Sequence, residues 1–291
     1  MSEITAKLFI ALQRLLPKYL MTALVHRIAR IRQVAIKNFL IRQFIRLYRV
    51  DTEQLLHPVP DGYKTFNDFF IRALADGSRP VSENSGDIVS PVDGTVSAAG
   101  ALDGEQLIQA KGHHYSLSDL LASDTADAER FTGGAFATIY LAPYNYHRVH
   151  APVAGKLTAI RYIPGALYSV NDATVRQLPR LFTRNERVAC HLDTECGPMI
   201  LLFVGALNVG TINTIWTGDI RPRKVGVVEA FNLNALQVKS DFARGDTLGW
   251  FNMGSTVILI TPPGSGDGFA RLAAGQALRW GEMIGRFTDG A

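Results

Sequence analysis

Gly254-Ser255-Thr256 stands at the head of the apolar run Val257 to Ile260, and the segment from Ser255 to the C-terminus is 37 residues long. A serine that follows a glycine in a tight turn can attack the carbonyl of the residue before it, because glycine accepts a strained backbone at little steric cost. On this reading the chain cuts itself between Gly254 and Ser255. The N-to-O acyl shift gives an ester, elimination gives dehydroalanine, and hydrolysis leaves a pyruvoyl group, a covalent ketone, in place of Ser255. The same tripeptide also serves as an ordinary turn entering a strand, so the reading depends on partners elsewhere in the chain.

A serine nucleophile needs a base to take its proton and a carboxylate to orient that base. The histidines are His26, His57, His113, His114, His147, His150 and His191. Two fall in Tyr144-Asn145-Tyr146-His147-Arg148-Val149-His150, between the apolar run Ala137 to Leu141 and the turn-rich Ala151-Pro152-Val153-Ala154-Gly155-Lys156. Three positions apart in a strand-to-turn segment, they could point into one cleft or simply pack. The carboxylate candidate is Asp93 in Ser90-Pro91-Val92-Asp93-Gly94-Thr95-Val96, although Asp-Gly is also a common hairpin turn.

The set is more specific than its members. Ser90 to Val96, Gln109-Ala110-Lys111-Gly112-His113, Tyr146 to Pro152, Val204-Gly205-Ala206-Leu207-Asn208-Val209-Gly210, and Arg244-Gly245-Asp246-Thr247-Leu248-Gly249 leading to Met253-Gly254-Ser255-Thr256 together resemble bacterial, pyruvoyl-dependent phosphatidylserine decarboxylases. Order and spacing match from about Phe66 to Ile260.

The resemblance implies that Asp93, His150 and Ser255 form a self-processing triad, with His150 as base toward Ser255 and Asp93 fixing its tautomer. It implies cleavage between Gly254 and Ser255 into a β chain of residues 1–254 and an α chain of residues 255–291. Ser255 would become the covalent pyruvoyl cofactor that forms a Schiff base with phosphatidylserine, yielding phosphatidylethanolamine for phospholipid biosynthesis. In the family the first histidine of His-x-x-His, here His147, is implicated in decarboxylation. Met253 stands where the family usually has leucine, a swap of similar volume that leaves the scissile carbonyl unchanged. Ile260-Thr261-Pro262-Pro263 stands where many members carry an aromatic residue, which bears on the packing of the short fragment.

The chemistry agrees with that expectation. Loss of carbon dioxide from an α-amino acid leaves a carbanion and requires an electron sink. A pyruvoyl ketone provides one by forming a protonated imine with the substrate amine. The carbon must then be protonated, and a histidine suits that near neutral pH; His147 is the expected donor.

The elements that must position these groups divide at about residue 56. With 291 residues, 47% hydrophobic and 19% charged, the chain can bury a sizeable core. Its formal charge is +4, yet residues 1–50 carry ten Lys or Arg against Glu3 alone, a net of +9, so the remaining 241 residues net −5. Leu8, Leu12, Leu15 and Leu16, then Ile28, Ile31, Ala35 and Phe39, then Ile41, Ile45 and Tyr48 recur at helical spacing. Pro17 divides two helices. A basic amphipathic arm over residues 1–56 suits an anionic membrane surface; the alternatives are a hairpin capping the core or a homodimer contact. Large aliphatics between the arginines argue against nucleic acid.

The catalytic domain is expected over residues 57–291. His57 to Gly62 reads as a Pro and Gly punctuated linker, Phe66 to Arg72 as a short helix ending near Gly77, and the chain beyond Ile88 as short strands. Cys196 to Gly218 is 23 residues without a charge, but its glycines, Pro198, Asn208 and Asn213 suggest two buried strands and no membrane span. The N-terminus lacks the pattern of a signal peptide. Cys190 and Cys196 match no disulfide framework, metal or redox motif. The expected location is the cytoplasmic face of the cell membrane, peripherally bound. Ser90 to Val96 echoes Ala151 to Leu157 in its Pro, Val and Gly, so the fold class expected is α+β, with a duplicated β sandwich or barrel-like domain behind a helical arm. Duplicated β folds also host zinc hydrolases, in which Asp93, His147 and His150 would be ligands, and a membrane-surface carrier or scaffold is a non-enzymatic alternative. Neither gives Ser255 a role, and no metal is expected.

Overall fold

The apolar run after Ser255 has no polar face, so the strand it forms must be covered on both sides. The computed structural model describes residues 3–110, 112–122, 128–195, 197–207, 211–223, 226–236, 238–267 and 269–287. In chain order, helices α1 (Glu3–Leu15), α2 (Lys18–Ala29), α3 (Val34–Tyr48) and α4 (Phe66–Phe70) precede β1 (Asp87–Val89), β2 (Gly94–Ala101), β3 (Gln106–Ala110), β4 (His113–Ser116) and α5 (Leu117–Leu121). Next come β5 (Ala135–Leu141), β6 (Arg148–His150), β7 (Gly155–Ile163), α6 (Asp172–Val175), α7 (Leu181–Arg184), β8 (Arg187–Thr194) and β9 (Gly197–Val204). The chain closes with β10 (Ile212–Thr214), β11 (Gly218–Ile220), β12 (Glu229–Ala230), α8 (Leu233–Leu236), β13 (Asp241–Phe242), β14 (Thr247–Phe251), β15 (Ser255–Thr261), β16 (Ala277–Leu278) and β17 (Met283–Arg286).

The fold is β-rich α+β with antiparallel sheets. Nine strands form one sheet in the order β12-β7-β8-β9-β15-β5-β2-β16, with β13 also on β7, and four form a second in the order β11-β10-β14-β6. Strand β15 lies inside the larger sheet between β9 and β5, and Val257, Ile258, Leu259 and Ile260 are fully buried. The two sheets meet through Phe203 of β9 and Phe251 of β14, 5.4 Å apart. The uncharged segment before Asp219 supplies strands β9 and β10, as its composition suggests; Cys196, Asn208, Val209 and Gly210 lie outside the described residues, as does Lys111.

The echoed Pro-Val turns are neighbours: Val89 N–H donates to Pro152 O (3.0 Å) and His150 N–H to Pro91 O (2.8 Å). Each turn delivers a glycine as the first residue of a strand, Gly94 of β2 and Gly155 of β7. A side chain at Gly94 would meet Tyr140 O at 2.6 Å, so the crowded sheet accepts no Cβ there.

The arm comprises three helices where the sequence predicts two. Pro17 separates α1 from α2, and a second break follows Ala29, where Gln33 turns extended. That turn packs Ala29 of α2 and Ile41 of α3 into one cluster with Phe66, Phe69 and Phe70. Ile10 of α1 enters the main core, and Gln13 accepts from Ser169 N–H at 2.8 Å. Leu8, Leu12, Leu15, Leu20 and Leu24 remain more than half exposed. Among the described residues no helix is long and apolar enough to cross a membrane.

Helix α4 starts where Thr65 Oγ1 accepts from Asp68 N–H at 3.1 Å. It ends at Phe70, earlier than Gly77, because Leu74 bridges Leu55 and draws the chain off the helix axis.

Candidate active site

Ser255 is the first residue of β15, opposite Leu141 of β5. The two residues before it both have positive φ, 115° at Met253 and 39° at Gly254. Glycine tolerates this conformation, but a methionine with positive φ carries backbone strain of about 1–3 kcal/mol that the surrounding packing must hold. The packing is apolar: Met253 lines a groove of about 240 Å³ with Ile28, Ala29, Leu40, Phe44 and Phe66. Ser255 itself is fully buried, and its Oγ has no hydrogen-bond partner.

His147 ends the loop between β5 and β6, and His150 is the last residue of β6. Arg72, at the end of α4, shapes this loop by donating to Tyr144 O (2.8 Å) and Asn145 O (3.0 Å). Asn145 Oδ1 accepts from Ala142 N–H at 2.8 Å, closing the turn. Asn145 O lies 2.8 Å from His147 Nδ1; a carbonyl only accepts, so Nδ1 carries the proton and Nε2 holds the free lone pair. That Nε2 is buried without a partner, and the ring lies 4.1 Å from Phe70. Burial, reinforced by Arg72, lowers the pKa of His147 to about 3. It is a neutral base at rest.

His150 has the same tautomer for a similar reason. Its Nδ1 lies 2.7 Å from Gly245 O, presented by a turn in which Gly245 has φ 85°. Its Nε2 lies 2.9 Å from Tyr146 Oη, so the phenol donates to it. The imidazole stacks on Trp280 at 4.0 Å and 10°. Burial lowers its pKa to about 4, with Arg148 adding to the shift and the Gly245 carbonyl opposing it.

Asp93 accepts from Arg79 Nη2 (2.8 Å) and from Trp280 N–H (2.9 Å). The structure thus links Asp93 to His150 through Trp280, whose main chain holds one and whose indole covers the other. No hydrogen bond joins Asp93, His150 and Ser255 directly among the described residues. A polar cavity of about 440 Å³ opens beside Asp93, lined also by Tyr146, Arg72, Arg79, Arg279 and Glu282. Among the described residues no group of three His, Cys, Asp or Glu is arranged to hold a metal ion.

No role falls to Tyr146, Arg79, Trp280 or the Gly245 carbonyl on sequence alone. Tyr146 and Gly245 lie inside the segments that carry the resemblance; Arg79 and Trp280 lie far apart in the chain and carry no local signal. Cys190 is a buried free thiol whose pKa burial raises.

A family model described as phosphatidylserine decarboxylase matches residues 66–286, and one described as PSD matches residues 8–49. The chain is similar to the phosphatidylserine decarboxylase proenzyme of Methylococcus capsulatus, 43% identical over 285 residues that cover 98% of each chain. The proenzyme of Saccharophagus degradans is 45% identical over 277 residues, 95% of this chain and 96% of its own. That of Bordetella pertussis is 46% identical over 257 residues, 88% of this chain and 86% of its own.

Proposed function

The chain belongs to the phosphatidylserine decarboxylase family, and from that premise we propose that it matures by cutting itself at Gly254-Ser255 and works with the pyruvoyl group so formed. It is an enzyme that decarboxylates phosphatidylserine to phosphatidylethanolamine. The observation that carries the maturation reading is the pairing of backbone strain at Met253 and Gly254 with a buried, unpartnered Ser255 Oγ. The neighbourhood fits a ketone, which brings no donor needing a partner into the apolar pocket. When formed, the pyruvoyl group supplies the electron sink that the loss of carbon dioxide requires.

The roles of the side chains follow from their protonation. His150 is held by Gly245 in the tautomer whose Nε2 accepts, so it is the base toward Ser255 once Tyr146 gives up that nitrogen. Asp93 acts on it through Trp280, and Arg79 balances the buried carboxylate. His147 begins without a proton on Nε2. It therefore takes one from the substrate's ammonium group, which frees the amine to react, and returns it to the α-carbon after carbon dioxide has left.

The membrane reading rests on the arm. Exposed Leu20 and Leu24 lie on α2, and the same helix borders a cleft of about 610 Å³ lined by Tyr19, His26, Arg27, Arg30 and Arg221. Apolar side chains beside clustered guanidinium groups suit a phospholipid surface, with the arginines on phosphodiesters. The enzyme would bind peripherally on the cytoplasmic side of the cell membrane. The paired turns at Pro91 and Pro152 support a duplicated β architecture, in which Asp93 and His150 flank equivalent turns.

Carbon dioxide release from phosphatidylserine in mixed vesicles tests the reading. Activity from the wild-type protein and none from Ser255→Ala is expected; turnover by Ser255→Ala would remove the pyruvoyl group from the mechanism.

A further inference from the structure

Glu186 is a carboxyl group buried within the protein that the mechanism above does not use. It immediately precedes β8, and Gly205 immediately follows β9; Gly205 N–H donates to Glu186 O at 2.9 Å, continuing the β8 to β9 register in which Arg187 faces Val204. On its other side β9 pairs with β15, Val204 facing Thr256. One residue further along that register, Gly205 faces Ser255. Glu186, Gly205 and Ser255 therefore occupy one row across three strands and project to the same face, the spacing between opposed Cβ positions being about 4.5–5.5 Å.

The middle of that row is empty of side chain, and Glu186 fills it. A Cβ built on Gly205 would lie 2.7 Å from both Glu186 Cγ and Oε1. The carboxyl thus lies over the glycine, on the face that the row shares with Ser255. Tyr162 Oη donates to Glu186 Oε2 at 2.9 Å, while Oε1 is buried with no partner, as is Ser255 Oγ. The groups acting on this carboxyl are Tyr162 of β7, Arg223, whose N–H donates to Tyr162 Oη and whose guanidinium lies 4.9 Å above that ring, and Tyr19 of α2. Burial dominates, raising the pKa of Glu186 to about 8 against the pull of Tyr162 and Arg223. Near neutral pH the carboxyl holds its proton, and with Oε2 engaged as an acceptor that proton sits on Oε1. His147 and His150 are both neutral bases.

We propose that Glu186 is the neutral hydrogen-bond donor of maturation, donating to the Ser255 oxygen as it leaves Cβ. The proposal rests on self-cleavage as argued above. After the acyl shift, Ser255 Oγ is esterified to Gly254. A base removes the α-hydrogen of Ser255, that electron pair becomes the Cα=Cβ bond, and the Cβ–Oγ pair departs with Oγ as the new carboxylate of Gly254. Glu186 Oε1–H hydrogen-bonds the departing oxygen and steadies the charge that gathers on it, keeping its own proton, because an ordinary carboxylate takes none from a carboxyl whose pKa is held at about 8. Water then adds, and the nitrogen leaves as ammonia. Gly205 is glycine because this carboxyl needs its place.

The test is cell-free synthesis of the full chain at pH 6 to 10, followed by intact-mass analysis over time. Conversion of the wild type to the pyruvoyl-ended 255–291 fragment should slow as pH rises through about 8, whereas base-promoted elimination without that donor would only accelerate. Glu186→Gln keeps the shape and a neutral donor, and it should lose the alkaline fall. A wild-type pH profile in Glu186→Gln would overturn the proposal. If that variant fails to fold, the wild-type profile decides: a rate climbing steadily through pH 8 to 10 overturns it. A wild-type chain that never cuts overturns the underlying reading, and this one with it.

Discussion

Tyr146 donates its phenolic proton to Nε2 of His150 across 2.9 Å, while the other ring nitrogen is committed to Gly245 O at 2.7 Å. The histidine argued to activate Ser255 thus begins with both nitrogens engaged, in a tautomer set by a backbone carbonyl and not by a carboxylate. On that argument Nε2 can take the Ser255 proton only when Tyr146 gives up its hydrogen bond. Tyr146→Phe should slow self-cleavage two- to tenfold, the equivalent of one hydrogen bond of about 0.5–1.5 kcal/mol, as read from the fraction of cut chain over time. Faster cleavage would mean that the phenol only obstructs the base.

The two histidines should fail at different stages. His147→Ala should still cut its chain, yet decarboxylate at least about 10²-fold more slowly, the usual contribution of a positioned proton carrier. Borohydride should still trap the substrate on the α chain of that variant. Normal turnover by processed His147→Ala would exclude His147 from the reaction.

Once cut, the two chains should stay together. The α chain begins with β15, hydrogen-bonded on both sides within the sheet and buried along its whole length around the apolar Val257 to Ile260, and it carries Trp280, which stacks on His150 of the β chain. Size-exclusion chromatography should give one peak under native conditions and two species only in denaturant. Separation in native buffer would contradict the role given to this strand.

The pH dependence of stability has a defined sign. Folding lowers the pKa of His147 from 6.5 to about 3 through burial and Arg72, so between those values the unfolded chain binds a proton that the folded chain does not. Stability from this group is present above about pH 6.5 and lost as the pH falls. Glu186, raised from 4.5 to about 8, acts oppositely, favouring the folded state at low pH and losing that benefit as pH rises through 8. The His147 contribution is isolated by comparison in uncut Ser255→Ala protein: adding His147→Gln should reduce the fall in melting temperature between pH 7 and pH 5. An equal fall in both proteins would show that His147 titrates normally.

On the arm, inner and outer faces should separate. Ile41 is fully buried, so Ile41→Ala should cost about 2–5 kcal/mol of stability. Leu20→Asp with Leu24→Asp, on the exposed face, should leave the melting temperature nearly unchanged and weaken binding to anionic vesicles. Unchanged vesicle binding would reassign that face.

How far the sequence could be read depends on whether the signal is local. The run Val257 to Ile260 and the Pro91 and Pro152 turns are local patterns, and strands and turns stand where those patterns put them. Pro17 likewise ends a helix by its chemistry. The break after Ala29 has no such marker; it is set by Ala29 and Ile41 packing together, a contact between segments. At the site, Ser255, His147, His150 and Asp93 stood out because their spacing matches a family motif. Arg79, Trp280 and Glu186 did not, because each meets its partners through sheet register or a distant turn. Even the tautomers of both histidines depend on carbonyls, which every residue possesses and no sequence pattern marks.

The most direct measurement is intact-mass analysis of the purified protein beside Ser255→Ala. The wild type should give a chain of residues 1–254 and a 37-residue chain whose N-terminus is blocked by a ketone that reacts with hydrazine, and Ser255→Ala should give a single uncut chain without activity. A single full-length wild-type chain that decarboxylates phosphatidylserine, or a Ser255→Ala chain that still splits at this bond, would contradict the account.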